Sequence, residues 1–426
     1  MSTETATGRR APPGRSPLLF IFLTVFIDLL GFGIVIPLLP IYSKAFAMSE
    51  LELGLLFSCF SGMQFLFAPM WGRLSDRIGR KPVLVGGLLG TAAAYLLFAR
   101  AESAPMLYAS RLLAGFFGAN LAAAQAYIAD VTDAKSRAKG MGLLGAAFGL
   151  GFTFGPLMGG ELSACSSDWV GSRFALPGYA AAAFSVAAAL FGAVMLREPE
   201  RRGAGSREFG SGHLRRALGD GRIATLMLLN FLNIFAFSCF EAMFTRFGLS
   251  LFPTWFDQPE AVAQPTLDDV MKAAPVAGRY LFAVGLLSAL IQGGFIRRLI
   301  PKYGELRLAA VGPAILGLSL GIIGGAPTFA VVIAGCVLMP FGFGLTNPSV
   351  AGLLSRAVPE AEQGAFLGIN QSGGSLARVT GPAVAGALFV LGPRLPFFVA
   401  MAILLGASLI AARYRARYAA TFAAQG

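Results

Sequence analysis

Charge is scarce in this sequence: only 13% of its 426 residues are Asp, Glu, Lys or Arg, against roughly 25% in an ordinary soluble chain. A water-facing surface cannot be assembled from so few ionised groups. Histidine occurs once, as His213 in a polar segment, which excludes a histidine dyad or a histidine-rich metal site. The four cysteines, Cys59, Cys165, Cys239 and Cys336, form no CxxC pair, so neither a zinc site nor a disulfide framework is supported. No catalytic constellation, cofactor site or metal site emerges, and the chain is not expected to be an enzyme.

Apolar residues fill the space left by charge, at 56% of the chain with a mean hydropathy of +0.68. A helix needs about 20 predominantly apolar residues to cross a bilayer. Such stretches fall near 18–42, 53–71, 83–99, 105–130, 140–162 and 174–196, then near 223–245, 279–296, 306–326, 328–355, 365–391 and 395–412. The expected fold is an all-α membrane protein of twelve spans in two six-helix bundles. Its parts are a tail 1–17, a first bundle 18–196, a linker 197–221, a second bundle 222–412 and a tail 413–426. The first apolar run is too long for a secretory signal and lacks a small-residue cleavage site, so it reads as a retained span.

The net charge of +12 is explained by topology. With an even number of spans both termini share one side; that side receives 25 of the 34 Lys and Arg and the opposite side seven, with Arg111 and Arg378 left inside spans. The positive-inside rule then places both termini in the cytoplasm and the protein in an inner or plasma membrane. Nucleic-acid binding loses its support.

The halves repeat. An offset of 226 pairs Gly118 with Gly344, Gly142 with Gly368, Gly155-Pro156 with Gly381-Pro382 and Gly160 with Gly386. The first spans need an offset near 204, because the connection 247–278 is some 22 residues longer than its counterpart. That insertion holds Asp257, Glu260, Asp268, Asp269, Lys272 and Trp255 and reads as a surface loop or short interfacial helix, the alternative being a lid over the outer mouth.

Asp28, Arg111, Glu241 and Arg378 fall inside apolar spans, each at a cost of about 3 kcal/mol and together on the order of 10 kcal/mol on insertion scales. They are expected to face a watery cavity or each other; Glu241, late in its span, suits a rim equally well, and one residue of each sign could form a structural pair. Asp28 stands among apolar groups and glycines, where a carboxyl that alternates between charged and neutral could couple proton movement to conformation. Amides recur in the spans as well, among them Gln64, Asn120, Gln125, Asn230, Asn233, Gln292, Asn347, Asn370 and Gln371. They read either as interhelical fasteners or as the lining of a polar substrate cavity.

Five segments carry a resemblance. GRLSDRIGRKPVL, with Gly72, Asp76, Arg77, Gly79, Arg80 and Lys81, resembles the hallmark cytoplasmic loop of the major facilitator superfamily. The resemblance implies that Asp76 and Arg80 engage Asp130 and hold the halves together in an outward-open state. The second repeat keeps Gly304 but has Glu305 after it and no matching aspartate, so that half is expected to gate less through this device. YASRLLAGFFGA, with Arg111 and Gly115, resembles the R-x-x-x-G motif, which implies a part in proton coupling; the repeat has Val337 at the position of Arg111.

The fifth span matches the antiporter pattern G-x8-G-x3-GP-x2-GG at Gly142, Gly151, Gly155, Pro156, Gly159 and Gly160. Within that superfamily the pattern is associated with export by exchange. FIDLLGFGIVIPLLP and AYIADVTDAKSRAKGMG are most similar to the tetracycline-efflux branch of its twelve-helix drug:proton antiporters, from which the insertion departs. The expected function is proton-coupled efflux of a small amphipathic compound, with Asp28, Arg111 and Glu241 coupling protons and Gln64, Asn120, Gln125, Asn233, Gln292, Asn347, Gln371 and Arg378 lining the cavity. The alternative is an uptake carrier of a metabolite or anion with the same fold. Partners are the solute, protons and the bilayer, with a monomer as the working unit.

Overall fold

The computed structural model describes residues 17–132, 134–165, 175–199, 211–256, 267–291, 296–359 and 362–423. The first half comprises α1 (Pro17–Val35), α2 (Leu39–Ala45), α3 (Glu50–Ile78), α4 (Arg80–Ala99), α5 (Ala104–Gly118), α6 (Leu121–Val131), α7 (Ala134–Ala164) and α8 (Ala175–Met195). A short helix, α9 (Ser211–Gly219), precedes the second half. That half comprises α10 (Gly221–Leu251), α11 (Leu267–Leu290), α12 (Ile296–Tyr303), α13 (Glu305–Gly325), α14 (Phe329–Ala357), α15 (Gln363–Leu391) and α16 (Leu395–Ala423). Twelve helical stretches among the described residues are long and apolar enough to cross a membrane.

Two spans are each built from two helices. Pro37 and Pro40 lack the N–H that an uninterrupted helix requires, and the chain passes through a 3₁₀ turn, Ile36–Leu38, between α1 and α2. The fourth span breaks at Ala119 and Asn120, where the buried Asn120 amide donates to the Leu84 carbonyl at 3.4 Å. Ser49 and Glu52 form a reciprocal capping box at the start of α3, satisfying N–H groups that the first helical turn leaves open.

Several helices outrun the apolar stretches that announced them. α3 continues to Ile78 and α16 to Ala423, so Gly72 lies inside a helix and the connection between the second and third spans narrows to Gly79. The described parts of the insertion are mostly helical: α10 runs on to Leu251, a 3₁₀ turn covers Pro253–Phe256 and α11 begins at Leu267. Trp255 stacks on Phe329 with ring centroids 5.3 Å apart, anchoring this segment to the start of α14. Asp257 and Glu260 lie outside the described residues, as do Gln292 and the amino-terminal tail.

The apolar core divides in a way that defines the architecture. At the end remote from the termini one cluster joins both halves, with Leu38, Tyr42, Leu53 and Phe98 from the first and Phe240, Phe247, Ala274 and Ala385 from the second. At the terminal end two clusters stand apart. One is confined to the first half, around Ile21, Val83, Tyr127 and Leu196, and the other to the second, around Ile223, Leu353, Phe366 and Tyr414. Among the described residues, the apolar cluster shared by both halves thus lies at the end remote from the termini.

Candidate functional site

Asp28 is half-buried on α1, and its carboxylate accepts a hydrogen bond from Ser185 on α8 at 3.2 Å. The Tyr95 ring of α4 lies within electrostatic reach of it. The acid therefore points into the packing of α1, α4 and α8 within the first half. Arg111, only 1% exposed, forms no ion pair with Asp28. Its guanidinium lies 5.7 Å from the Tyr95 ring centroid and 5.1 Å from that of Phe98, while its Nε and Nη2 have no hydrogen-bond partner. Cation–π attraction, worth about 2 kcal/mol or more for a desolvated cation, offsets part of the cost of burying this charge. Tyr95 lies close enough to both Asp28 and Arg111 to feel the charge of each. Direct juxtaposition of the intramembrane charges, one of the sequence-based expectations, does not occur in this half.

In the second half Glu241 of α10 and Arg378 of α15 are each half-buried and sense one another's charge without closing to ion-pair distance. Arg378 makes a long contact of 3.5 Å to Ser375 Oγ. Most of the amides act as fasteners. Asn233, fully buried, donates to Asn347 at 2.8 Å across α10 and α14; Gln64 donates to the Gly118 carbonyl at 3.3 Å across α3 and α5; Asn230 reaches the Asn370 carbonyl at 3.5 Å. Half-buried Gln125 and exposed Gln371 are not drawn into such interhelical bonds.

The charged motif assembles around Arg80. This side chain bonds Asp76 at 2.6 Å, Asp130 at 2.8 Å and Ser75 Oγ at 2.5 Å, joining α3, α4 and the end of α6. Gly79 turns the chain with φ of +110°, a region open to glycine and strained for other residues. The sequence offered no signal for Glu198, whose carboxylate accepts from the backbone N–H groups of Arg80 at 2.6 Å and Lys81 at 2.9 Å. Arg77 is exposed, and Gly72 is uncrowded within α3. These partners of Arg80 and Glu198 all belong to the first half.

The second repeat carries an ion pair of its own at the equivalent place. Gly304 turns with φ of +77°, Glu305 follows it, and Glu305 pairs with Arg356 at the end of α14. Arg356 lies 226 residues beyond Asp130. The bridge exists in both halves, with its signs exchanged.

The antiporter pattern on α7 serves two faces. Gly151, Gly155 and Gly159 lie against Leu29, Gly33 and Ile34 of α1, with an added Cβ at Gly151 falling 2.7 Å from the Leu29 Cβ. Pro156 and Gly160 lie against α11, where a Cβ at Gly160 would stand 2.6 Å from the Ala274 carbonyl oxygen. Gly142 falls within α7. The repeat reproduces the second face: Pro382 and Gly386 of α15 meet Gly54 of α3, as Pro156 and Gly160 meet Gly278 of α11. Two glycine seams thus join the halves, and each carries an ion pair. Arg246 bonds Glu50 at 2.6 Å beside one, and Arg279 bonds Glu161 at 2.7 Å beside the other. These four charged residues were missed by sequence reasoning, because each is an ordinary helix-end charge until the halves are docked.

The chain matches the family model of the Major Facilitator Superfamily over residues 21–378 and again over 261–423. It belongs to the major facilitator superfamily. Tetracycline resistance protein, class C, of Escherichia coli is 32% identical over 382 residues, covering 87% of this chain and 89% of that protein. Multidrug resistance protein 1 of Bacillus subtilis strain 168 is 30% identical over 386 residues, covering 90% and 92%. The crystal structure of the human organic anion transporter MFSD10 (TETRAN) aligns with a TM-score of 0.67 at 26% identity, covering 94% of this chain and all of that one. This superfamily member is an integral, multi-pass membrane transporter. The two six-helix halves, the glycine seams and the charged turns at Gly79 and Gly304 are therefore parts of a solute carrier.

Proposed function

We propose that this carrier exports small amphipathic organic compounds in exchange for protons by alternating access. The observation that carries the reading is the double role of the α7 pattern. One face of it holds α1, which bears Asp28, and the other holds α11 across the seam, so a rearrangement at the acid and a rearrangement of the halves share one helix. Similarity to tetracycline and multidrug resistance proteins over most of the chain supports the direction and the solute class. With the seam closed at the far end and the cores separate at the terminal end, this conformation is open toward the termini, which the distribution of Lys and Arg assigns to the cytoplasm. The working unit is a monomer.

Half-buried aromatic pairs suit an aromatic solute. Phe32 lies 4.5 Å from Phe60 and 5.4 Å from Phe152 in the first half, and Phe237 lies 4.4 Å from Phe343 in the second. Asp28 takes up a proton in this scheme and Tyr95 relays its charge state toward Arg111. Cells expressing the carrier are expected to accumulate less tetracycline or a fluorescent drug, and uncoupling the membrane should abolish the difference. Asp28→Asn should remove the dependence on an imposed pH gradient; full gradient-driven transport by this variant would refute its coupling role.

A second reading is favoured by the likeness to the organic anion transporter MFSD10 and by Arg378, which stands half-buried and out of ion-pair range of Glu241. An anionic solute would then be held by Arg378. Loss of transport of an organic anion in Arg378→Gln, with tetracycline never transported, would decide for this reading.

A further inference from the structure

The amino ends of α4 and α13 are repeat equivalents, each introduced by a glycine of positive φ, yet they are completed differently. In the first half the chain leaves α8 at Met195 in non-helical backbone, and Glu198 folds onto the first N–H groups of α4. In the second half α16 stays helical to Ala423, and among the described residues no side chain caps α13. A groove of about 350 Å³ lies at this place, lined by Tyr303, Glu305, Arg307, Arg356 and Arg415 from α12, α13, α14 and α16.

The charge of the groove is uneven. Glu305 is its one acid and is already paired with Arg356. Arg307 and Arg415 are exposed, and among the described residues neither has a carboxylate within ion-pair range. Lys302, exposed and 5.3 Å from the Tyr303 ring centroid, extends the basic rim. Two guanidinium groups from different helices therefore converge, uncompensated, where the first repeat places a carboxylate.

We propose that this groove binds a phosphate-bearing anion, the headgroup of an acidic phospholipid, in the position that Glu198 fills in the first repeat. The planar guanidinium fork matches phosphate oxygens two at a time, and basic pockets between spans at the basic side of a membrane protein suit such headgroups. The depth is right, because Arg307 lies in the first turn of α13 and Arg415 lies just past the apolar stretch of α16. A bound headgroup would tie α13, α14 and α16 together at the terminal end of the second half.

The purified full-length protein, stripped of lipid in detergent, is to be titrated with phosphatidylglycerol, phosphatidylcholine or inorganic phosphate. Thermal unfolding and native mass spectrometry are the readouts. Phosphatidylglycerol is expected to raise the unfolding midpoint by several degrees and to remain bound, with phosphatidylcholine inert. The Arg307→Gln/Arg415→Gln variant should lose both effects, while Arg413→Gln, an exposed arginine outside the groove, keeps them. If the double variant does not fold, Arg415→Gln alone should weaken lipid retention several-fold. An equal shift with inorganic phosphate, also lost in the variants, would keep the site and assign it to soluble phosphate. Equal responses to the two lipids, or a response to phosphatidylglycerol undiminished in the variants, would overturn the proposal.

Discussion

Asp130 and Arg356 occupy the same position in the two repeats, 226 residues apart, and carry opposite charges, yet each bonds the start of the helix that follows its half's glycine turn. What the repeats share is an ion pair between the end of the fourth span and the start of the third. The sign of each partner is free to change, because only their complementarity matters to the bond.

Exchanging the partners tests that reading. Glu305→Gln removes the carboxylate from a partly exposed ion pair, and such pairs are worth about 0–1 kcal/mol. Its thermal stability should fall by no more than that, while transport, which must break and remake the contact, falls several-fold. Glu305→Arg with Arg356→Glu should restore transport in membrane vesicles; failure of the exchange would show that the charges have other partners.

The two ion pairs across the seams are expected to differ in weight. Arg246 is 8% exposed, and removing one partner of a buried pair costs about 3–5 kcal/mol. The side chains of Arg279 and Glu161 are 62% and 44% exposed, in the range where a pair is worth at most about 1 kcal/mol. Glu50→Gln should therefore destabilise the protein far more than Glu161→Gln in thermal unfolding. Equal effects would place the weight of the seam in its glycines alone.

Those glycines carry their own expectation. Gly160→Val places a branched side chain where even a Cβ would stand 2.6 Å from the Ala274 oxygen, so the halves cannot close there. Transport should drop at least about tenfold, in keeping with a seam whose shape is set by close packing. Cysteines at positions 161 and 279, which flank this seam, in a background without the native cysteines, should cross-link efficiently in the parent and poorly in this variant.

The amides divide into two groups. Asn233→Ala breaks the bond to Asn347 and should cost about 1–2 kcal/mol of stability, the upper range for such bonds in membranes, with little change in KM. Gln125→Ala and Gln371→Ala, which break no interhelical bond, should leave stability unchanged and raise KM if they touch the solute. Transport kinetics beside thermal unfolding separates the two behaviours.

Much of this was legible in the residues. The twelve spans, their division into six and six, and the pairing of Gly155-Pro156 with Gly381-Pro382 follow from hydropathy and spacing, and the packing explains the pairing: both Pro156 and Pro382 lie on the seams. The repeat register of the first spans is also fixed by contact. Gly33 meets Gly155 as Ser238 meets Gly381, which makes Asn233 the counterpart of Asp28, 205 residues on.

Other features had no local signature. Glu198 lies far from Arg80 in sequence, and its capping role arises only when the chain leaves α8. Arg111 was read from its motif as a proton-coupling residue, and that motif gave no sign of the Tyr95 and Phe98 rings of α4 beside it. The amide positions were identified by type, whereas their use as fasteners depends on which helices meet. Asp28 carries the same lesson: its burial was evident from its neighbours, and its partner Ser185 was not.

Exchange of solute for protons is measured most directly in sealed liposomes holding the purified carrier and an internal pH dye, with no gradient imposed at the start. On adding tetracycline outside, solute entry should drive protons out and raise the internal pH, and Asp28→Asn should abolish the change. Internal acidification coupled to solute entry, or solute entry with no proton movement in the parent protein, would contradict proton-coupled antiport.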